Sequence, residues 1–146
     1  MIDKIEHNGI LLSIIIPSNY REEGISFFTS NDLSQQLAFM CHPSSKQIQP
    51  HIHNPVPREV HYTQEVLFIR KGKLRVDFYT QEQKYLESRI LKTGDAILLI
   101  QGGHGFEMLE QVEMIEVKQG PYVGKQDKTR FQPAESTELK IKLPAA

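Results

Sequence analysis

The residues of this chain that could do metal or acid-base chemistry are concentrated in one stretch, HIHNPVPREVHYTQEVLFIRKG, residues 51 to 72. His51 and His53 open it one residue apart, and Glu65 begins its apolar second half. In a β-strand, residues i and i+2 project from the same face, so the two imidazoles would point together and could chelate one ion. A third imidazole, His104, lies in the turn QGGHG (101 to 105), directly before the strand FEML. Three imidazoles and a carboxylate suit a divalent transition metal such as Fe, Mn, Ni, Zn or Cu.

Length and composition narrow the class of protein. The 146 residues are about one domain, and a formal net charge of −1 with mixed signs lacks the basic stripe of a nucleic-acid binder. The apolar run Ile10 to Ile16 is too short to span a bilayer, and the start has no signal-peptide shape, so we expect no membrane partner. The single cysteine, Cys41, indicates a reducing, cytoplasmic setting and a buried thiol. A small molecule is the expected ligand.

The periodicity predicts a chain of short strands separated by turns, which indicates an all-β fold. Residues 74 to 79 alternate apolar and polar side chains, the period of a half-buried strand. Residues 30 to 37 (SNDLSQQL) have a plausible helix cap, but LAFMC at 37 to 41 fits a strand equally well. Turns are predicted at 71 to 73, 80 to 84 and 92 to 95, and further strands at 10 to 16, 96 to 100, 106 to 109, 113 to 119 and within ELKIKL (138 to 143).

The spacing of these residues resembles the cupins, small β-barrels related to the jelly roll. Their first motif is G-x5-H-x-H followed by E-x6-G, and their second is G-x5-P-x-G-x2-H-x3-N. This chain has serine for the first glycine, eleven residues before the glutamate, no proline, one residue fewer before the last histidine, and Met108 at the asparagine. The positions that carry the resemblance are Ser45, His51, His53, Glu65, Gly72, Gly94, Gly102 and His104.

The resemblance implies one cupin domain over residues 1–146, a double-stranded β-helix or jelly-roll barrel. Its motif core would be about 45–119, with an N-terminal flank (1–44) and a C-terminal tail (120–146) as added strands and loops. It also implies one divalent metal ion held by His51, His53, Glu65 and His104, with Glu59 as an alternative carboxylate.

Strand parity predicts what else lines the pocket. If Glu65 faces inward, so do Leu67 and Ile69, and from His104 the same count turns Phe106 and Met108 inward. The inner wall then looks apolar, completed by Val76, Phe78 and Leu98 or Leu99, with no evident general base on it. Polar residues for substrate binding and catalysis lie instead in the loop from Asn54, and the candidates are Arg58, Glu59, His61, Tyr62 and Gln64.

Three functions remain open. Residues 115 to 131 resemble the end of the cupin module of type II phosphomannose isomerases, which implies a metal-dependent enzyme of carbohydrate, sugar-nucleotide or polysaccharide metabolism related to RmlC-like cupins. The apolar wall would instead suit a non-heme iron dioxygenase. A non-catalytic binding cupin is the third reading, because this fold hosts many activities.

A homodimer is expected from the N-terminal flank. Ile14, Ile15 and Ile16 are consecutive apolar residues, so a strand cannot bury all three unless both of its faces are covered. A second subunit could cover the outer face.

Overall fold

The computed structural model describes residues 1–145 of the protein. Within that range the regular structure is β-strand, apart from two single turns of 3-10 helix at Gly124–Asp127 and Ser136–Glu138. The fold is therefore all-β, as predicted. The strands are β1 (Asp3–His7), β2 (Ile10–Ile16), β3 (Gly24–Phe27), β4 (Ala38–Cys41), β5 (Glu65–Lys71), β6 (Lys73–Tyr79), β7 (Tyr85–Lys92), β8 (Ala96–Leu99), β9 (Gly103–Met108), β10 (Glu113–Lys118) and β11 (Ile141–Lys142). No helix in residues 1–145 has the length and apolarity needed to cross a membrane.

The chain forms two compact units. The main unit consists of residues 1–20 and the chain from Tyr62 onward, and the inserted unit consists of Arg21–His61. The inserted unit contains only the two-stranded antiparallel sheet of β3 and β4. All other strands belong to the main unit.

Two sheets build the main unit. A five-stranded sheet has the order β1-β2-β8-β5-β10, and a four-stranded sheet has the order β11-β7-β6-β9. Side chains from both sheets form one hydrophobic core. The core residues include Ile5, Leu12, Ile15, Leu67, Ile69, Leu74, Val76, Phe78, Leu91, Ile97 and Leu99.

The predicted turns carry the chain through these sheets. Residues 71 to 73 separate β5 from β6, residues 80 to 84 separate β6 from β7, and residues 92 to 95 separate β7 from β8. Asp95 fixes the last of these turns, because its carboxylate accepts hydrogen bonds from the backbone N–H groups of Lys92 and Ser18, both at 2.8 Å. Between β5 and β10 the chain passes back and forth between the sheets. The strands β5, β8 and β10 belong to the five-stranded sheet, and β6, β7 and β9 belong to the four-stranded sheet.

The three isoleucines of β2 are buried within the single chain. Ile14, Ile15 and Ile16 are 0%, 5% and 8% exposed. They are therefore not available as an apolar subunit contact, contrary to the reason given for expecting a dimer. A homodimer remains a prediction without this motive.

In the inserted unit one prediction is wrong, the burial of Cys41, and one open alternative, helix or strand before β4, is settled. Cys41 is exposed, not buried, because it ends β4 on a two-stranded sheet that is too small to enclose it. The ambiguous segment 30 to 41 ends in strand β4 and contains no helix. Phe39 of β4, and Ile25 and Phe27 of its partner β3, are residues that favour strands.

Candidate functional site

Glu65 is the first residue of β5 and lies at one end of the core. Its side chain shares a face with Leu67 and Ile69, and the residue is only 8% exposed. The predicted inward orientation is confirmed. In the sheet Glu65 is opposite Leu99 of β8 on one side and Lys118 of β10 on the other.

His104 enters the same end of the core from the four-stranded sheet. It is the second residue of β9 and is opposite Phe78, whose side chain is buried. The sequence placed His104 in a turn, but the turn is shorter than predicted and the strand already begins at Gly103. Gly102 makes the sharp entry, because its φ of 79° is left-handed and an added Cβ would lie 2.7 Å from the Tyr79 carbonyl oxygen.

The residues that follow His104 agree with the predicted parity. Phe106 is opposite Val76 and packs against the core, and its ring centroid lies 5.4 Å from that of His104. Met108 is on the same face, opposite Leu74, but it is exposed because it lies at the far end of an edge strand.

Glu65 and His104 lie close enough together to be considered as a pair of metal ligands. His104 Nε2 lies 3.9 Å from Glu65 Oε2, too far for a hydrogen bond, and this is the only ion pair of that carboxylate within residues 1–145. Burial raises the pKa of Glu65, with the Glu116 carboxylate adding to the effect. Burial also lowers the pKa of His104. A desolvated carboxylate beside a neutral imidazole has the donor chemistry of a metal ligand pair, so these residues fit a divalent ion.

His51 and His53 form a second pair, inside the inserted unit. Their ring centroids are 5.1 Å apart with an interplanar angle of 76°. The strand predicted for them is absent, since residues 42 to 64 contain no strand; the prolines at 43, 50, 55 and 57 interrupt backbone hydrogen bonding there. His51 Nδ1 donates to the Gln49 carbonyl oxygen at 2.9 Å. That hydrogen bond leaves His51 Nε2 with its lone pair available, as in most metal-binding histidines.

The four predicted ligands are thus seen as two pairs, each within its own unit. No group of three or more His, Cys, Asp or Glu side chains in the described part of the chain is arranged to hold a metal ion.

The predicted substrate-binding and catalytic residues of the loop differ in exposure. In the inserted unit, Arg58, Glu59 and His61 are exposed, and His61 Nε2 lies 3.8 Å from Glu59 Oε2. In the main unit, Tyr62 is exposed. Gln64 is buried, and its backbone carbonyl accepts a hydrogen bond from the Gln119 N–H at 3.0 Å, so this residue anchors the start of β5.

The structure adds two ionisable residues that the sequence interpretation missed, Glu116 and Lys118 of β10. Glu116 is opposite Leu67 and Lys118 is opposite Glu65, so both lie on the core-facing side of the five-stranded sheet. Lys118 Nζ lies 3.5 Å from Glu116 Oε1. The inner wall is therefore not purely apolar, contrary to the expectation from the sequence. The apolar side chains of this strand were misleading, because Ile115 and Val117 lie on its outer face and are exposed.

The segment after β10 borders the same end of the core. Thr63 Oγ1 donates to Asp127 Oδ1 at 2.5 Å, which ties the first 3-10 turn to the residues before Glu65. Further along, the Phe131 ring packs edge-on against Tyr79 with centroids 5.0 Å apart. The backbone N–H of Ala134 donates to the Tyr79 hydroxyl at 2.9 Å. Lys128 lies between these anchors and acts electrostatically on both Glu65 and His104.

No protein-family model matches the chain, and no curated protein and no solved structure is significantly similar to it.

Proposed function

We propose that the protein is a cupin metalloprotein that binds one divalent transition-metal ion through His51, His53, Glu65 and His104. The observation that carries the proposal is the buried Glu65 carboxylate, whose Oε2 lies 3.9 Å from Nε2 of His104 without a hydrogen bond between them. Burial disfavours the ionised form of a carboxylate, and a bound cation would offset the lost hydration.

The strand order supports the cupin fold. Two sheets share one core, and β5 to β10 alternate between them as strands do in a jelly roll. Glu65 begins a strand of one sheet and His104 begins a strand of the other. These are the two positions that the cupin motifs assign to metal ligands.

Two local features support the proposal that the residues of the first cupin motif, His51 and His53, bind the metal ion. Ser45 has a φ of 71°, the left-handed conformation for which the cupin motif uses glycine. The hydrogen bond from His51 Nδ1 to Gln49 directs the other ring nitrogen toward coordination. Both features exist without a regular strand around them.

The site is suited to an enzyme of small-molecule metabolism, and the tail resemblance points to a carbohydrate or sugar nucleotide. A bound divalent ion would polarise a carbonyl or hydroxyl oxygen of the substrate. Glu116 is the candidate general base, because it lies on the inner wall one strand from Glu65 and is exposed to an entering molecule. Lys118, its ion-pair partner, holds the carboxylate in place. This charged pair favours proton transfer over oxygen chemistry beside a purely apolar wall.

Metal content tests the proposal. Elemental analysis of protein purified without added metal, and after loading with Mn, Fe, Ni or Zn, should give about one ion per chain. Glu65→Gln keeps the side-chain volume and removes the charge, so it should lose the ion. Glu59→Gln is the matched control in the exposed loop and should keep it. Loss in Glu59→Gln with full occupancy in Glu65→Gln would assign the carboxylate ligand to the loop.

A further inference from the structure

We propose that the open edge of β10 binds β10 of a second copy of the chain, antiparallel, so that two five-stranded sheets join into one continuous sheet. The interface is built from the backbone and side chains of β10 and its neighbour β5. It requires neither a bound metal nor the buried isoleucines of β2, so it gives a new reason to expect a homodimer.

The second edge of β10 is open. β10 ends the five-stranded sheet, so in the part of the chain that the structure describes no strand lies along that edge. The N–H of Gln119 donates to the Gln64 carbonyl oxygen at 3.0 Å, toward β5. Alternate residues of an antiparallel ladder point their backbone groups to the same neighbour, so Val117 also bonds to β5. Glu116 and Lys118 therefore direct their N–H and C=O groups to the open edge.

The outer face of the sheet is apolar along this edge. Ile115 and Val117 are 52% and 58% exposed, and Phe68, opposite Ile115 in β5, is 45% exposed. Exposed apolar edge strands pair with other strands unless charges, prolines or bulges protect them. The bulge of β10 lies at Glu113 and Met114, so the rest of the strand keeps a regular edge. That regular part is available for a second strand.

The side chains of β10 select one register for pairing with a copy of itself. Opposite residues of an antiparallel pair point to the same face, so one residue must lie opposite its own copy. If that residue were Glu116, two like charges would face each other, which is destabilising. If it were Ile115, the bulged Met114 would have to pair with Glu116. With Val117 at the centre, Glu116 lies opposite Lys118 of the partner subunit, and Lys118 lies opposite the partner's Glu116.

This register satisfies the backbone and the charges together. Glu116 and Lys118 form hydrogen-bonded pairs across the interface, and Val117 and its copy form the close non-hydrogen-bonded pair between them. Within one chain Lys118 Nζ already lies 3.5 Å from Glu116 Oε1. The dimer therefore contains four alternating charges, and each carboxylate gains a second cation. Lys118 of the partner subunit is thus placed beside Glu116, the candidate general base.

Disulfide formation across the interface tests the register. The two Val117 Cα atoms would be about 4.5 Å apart, within the range that a disulfide spans. Val117→Cys should give a covalent dimer under mild oxidation, in a Cys41→Ser background that removes the exposed native thiol. Ile115→Cys is the matched control, because it is similarly exposed but about 14 Å from its own copy in this register. On non-reducing electrophoresis, no covalent dimer from Val117→Cys, or an equal yield from both variants, overturns the proposal.

Exchange of charges tests the interface in solution. Sedimentation equilibrium should show a wild-type dimer at micromolar concentration, with metal or with chelator. Lys118→Glu should raise the dissociation constant of the dimer by about tenfold or more, because two like-charged pairs replace two opposite ones. Adding Glu116→Lys to that variant should restore the affinity, since opposite charges again meet across the interface. Lys73→Glu removes the cation of another ion pair, with Glu110 at 3.8 Å, and should leave the dimer unchanged.

The outcomes separate this inference from the proposed function. A wild-type protein that stays monomeric over the whole concentration range overturns the dimer and leaves metal binding untouched. A charge-exchanged double variant that is folded by circular dichroism and dimerises as weakly as Lys118→Glu also overturns it. The cysteine variants keep the test decisive if a charge variant does not fold, because they leave the charges of β10 intact. Absence of bound metal after loading contradicts the proposed function and leaves the dimer standing.

Discussion

Replacing Glu65 with glutamine should stabilise the metal-free protein and remove its stabilisation by metal. The Glu65 side chain is 10% exposed, and burial raises its pKa above the ordinary value. A carboxyl whose pKa is higher in the folded than in the unfolded state disfavours folding once it ionises. Its contribution to the free energy of unfolding therefore improves as pH falls through the folded pKa, and it is unfavourable at neutral pH. Glutamine has nearly the same shape and no charge to desolvate.

Relative to wild type, Glu65→Gln should have a higher free energy of unfolding without metal and should lack the stabilisation that metal gives. Leaving a buried charged group without a hydrogen-bond partner costs about 1–3 kcal/mol, so the metal-free variant should gain about 1 kcal/mol or more. A ligand at a hundred times its Kd stabilises the native state by about 2.7 kcal/mol. For a chain of this size about 1 kcal/mol corresponds to roughly 2–4 °C in Tm, so metal should raise the wild-type Tm by roughly 5–11 °C.

The assay is thermal unfolding at pH 7.5, followed by circular dichroism, with chelator or with excess metal. Glu113→Gln is the control, because Glu113 is an exposed residue of β10 that faces Arg70 at 4.0 Å. It should leave the free energy of unfolding of both forms within about 0.5 kcal/mol of wild type. A Glu65→Gln protein that is less stable than wild type without metal, yet keeps the full metal-induced rise, would refute the role assigned to Glu65.

Three further outcomes are expected. Bound metal should be released as pH falls below about 6, since protons compete for imidazole nitrogens of intrinsic pKa near 6.5. A chromogenic chelator at graded pH would measure the released metal, and full retention at pH 5 would count against histidine ligands. His104→Ala should lower metal affinity by orders of magnitude in a chelator competition. The variant should keep the far-ultraviolet circular dichroism of a folded protein, because apolar side chains supply the core. Unfolding of this variant without metal would contradict the second expectation. Asp77→Ala should cost about 3 kcal/mol in urea unfolding, because buried Asp77 accepts hydrogen bonds at 2.8 and 3.0 Å from the Arg75 guanidinium. Glu107→Ala, which removes the exposed partner of the same arginine, should cost less than about 1 kcal/mol, and equal losses would refute the difference in burial.

The sequence predicted those elements whose pattern is local. The bounds of β2 at Ile10–Ile16 follow from a short apolar run, and β6 follows from the local alternation of apolar and polar side chains. The turns around Gly72 and Gly94 are also local, because both residues have left-handed φ angles. The shared face of Glu65, Leu67 and Ile69 followed from counting by two along β5.

What the sequence could not give depends on pairing between distant strands. The face of β10 is set by its register with β5, which turns Glu116 and Lys118 inward against the hydrophobic pattern. The exposure of Ile115 follows from the same register, since it is opposite Phe68 on the outer face. Cys41 is exposed because its sheet has only two strands, and strand number is not a property of the four residues of β4.

The placement of His51 and His53 also depends on strand pairing that their sequence spacing does not determine. A spacing of two places His51 and His53 on one face only if a strand forms, and strand formation requires a partner edge as well as a permissive sequence. In the structure their segment has no such pairing, although the two rings lie 5.1 Å apart. The distance between them is thus set by the loop conformation and not by strand geometry.

The most direct test of the metal site is a crystal structure of the metal-loaded protein with an anomalous difference map recorded at the absorption edge of the bound metal. The account predicts one anomalous peak per chain, bonded at about 2.0–2.2 Å to nitrogens of His51, His53 and His104 and to an oxygen of Glu65. A peak that contacts Glu59 instead of Glu65, or a fully loaded protein whose ion lies away from the pair of Glu65 and His104, would contradict it.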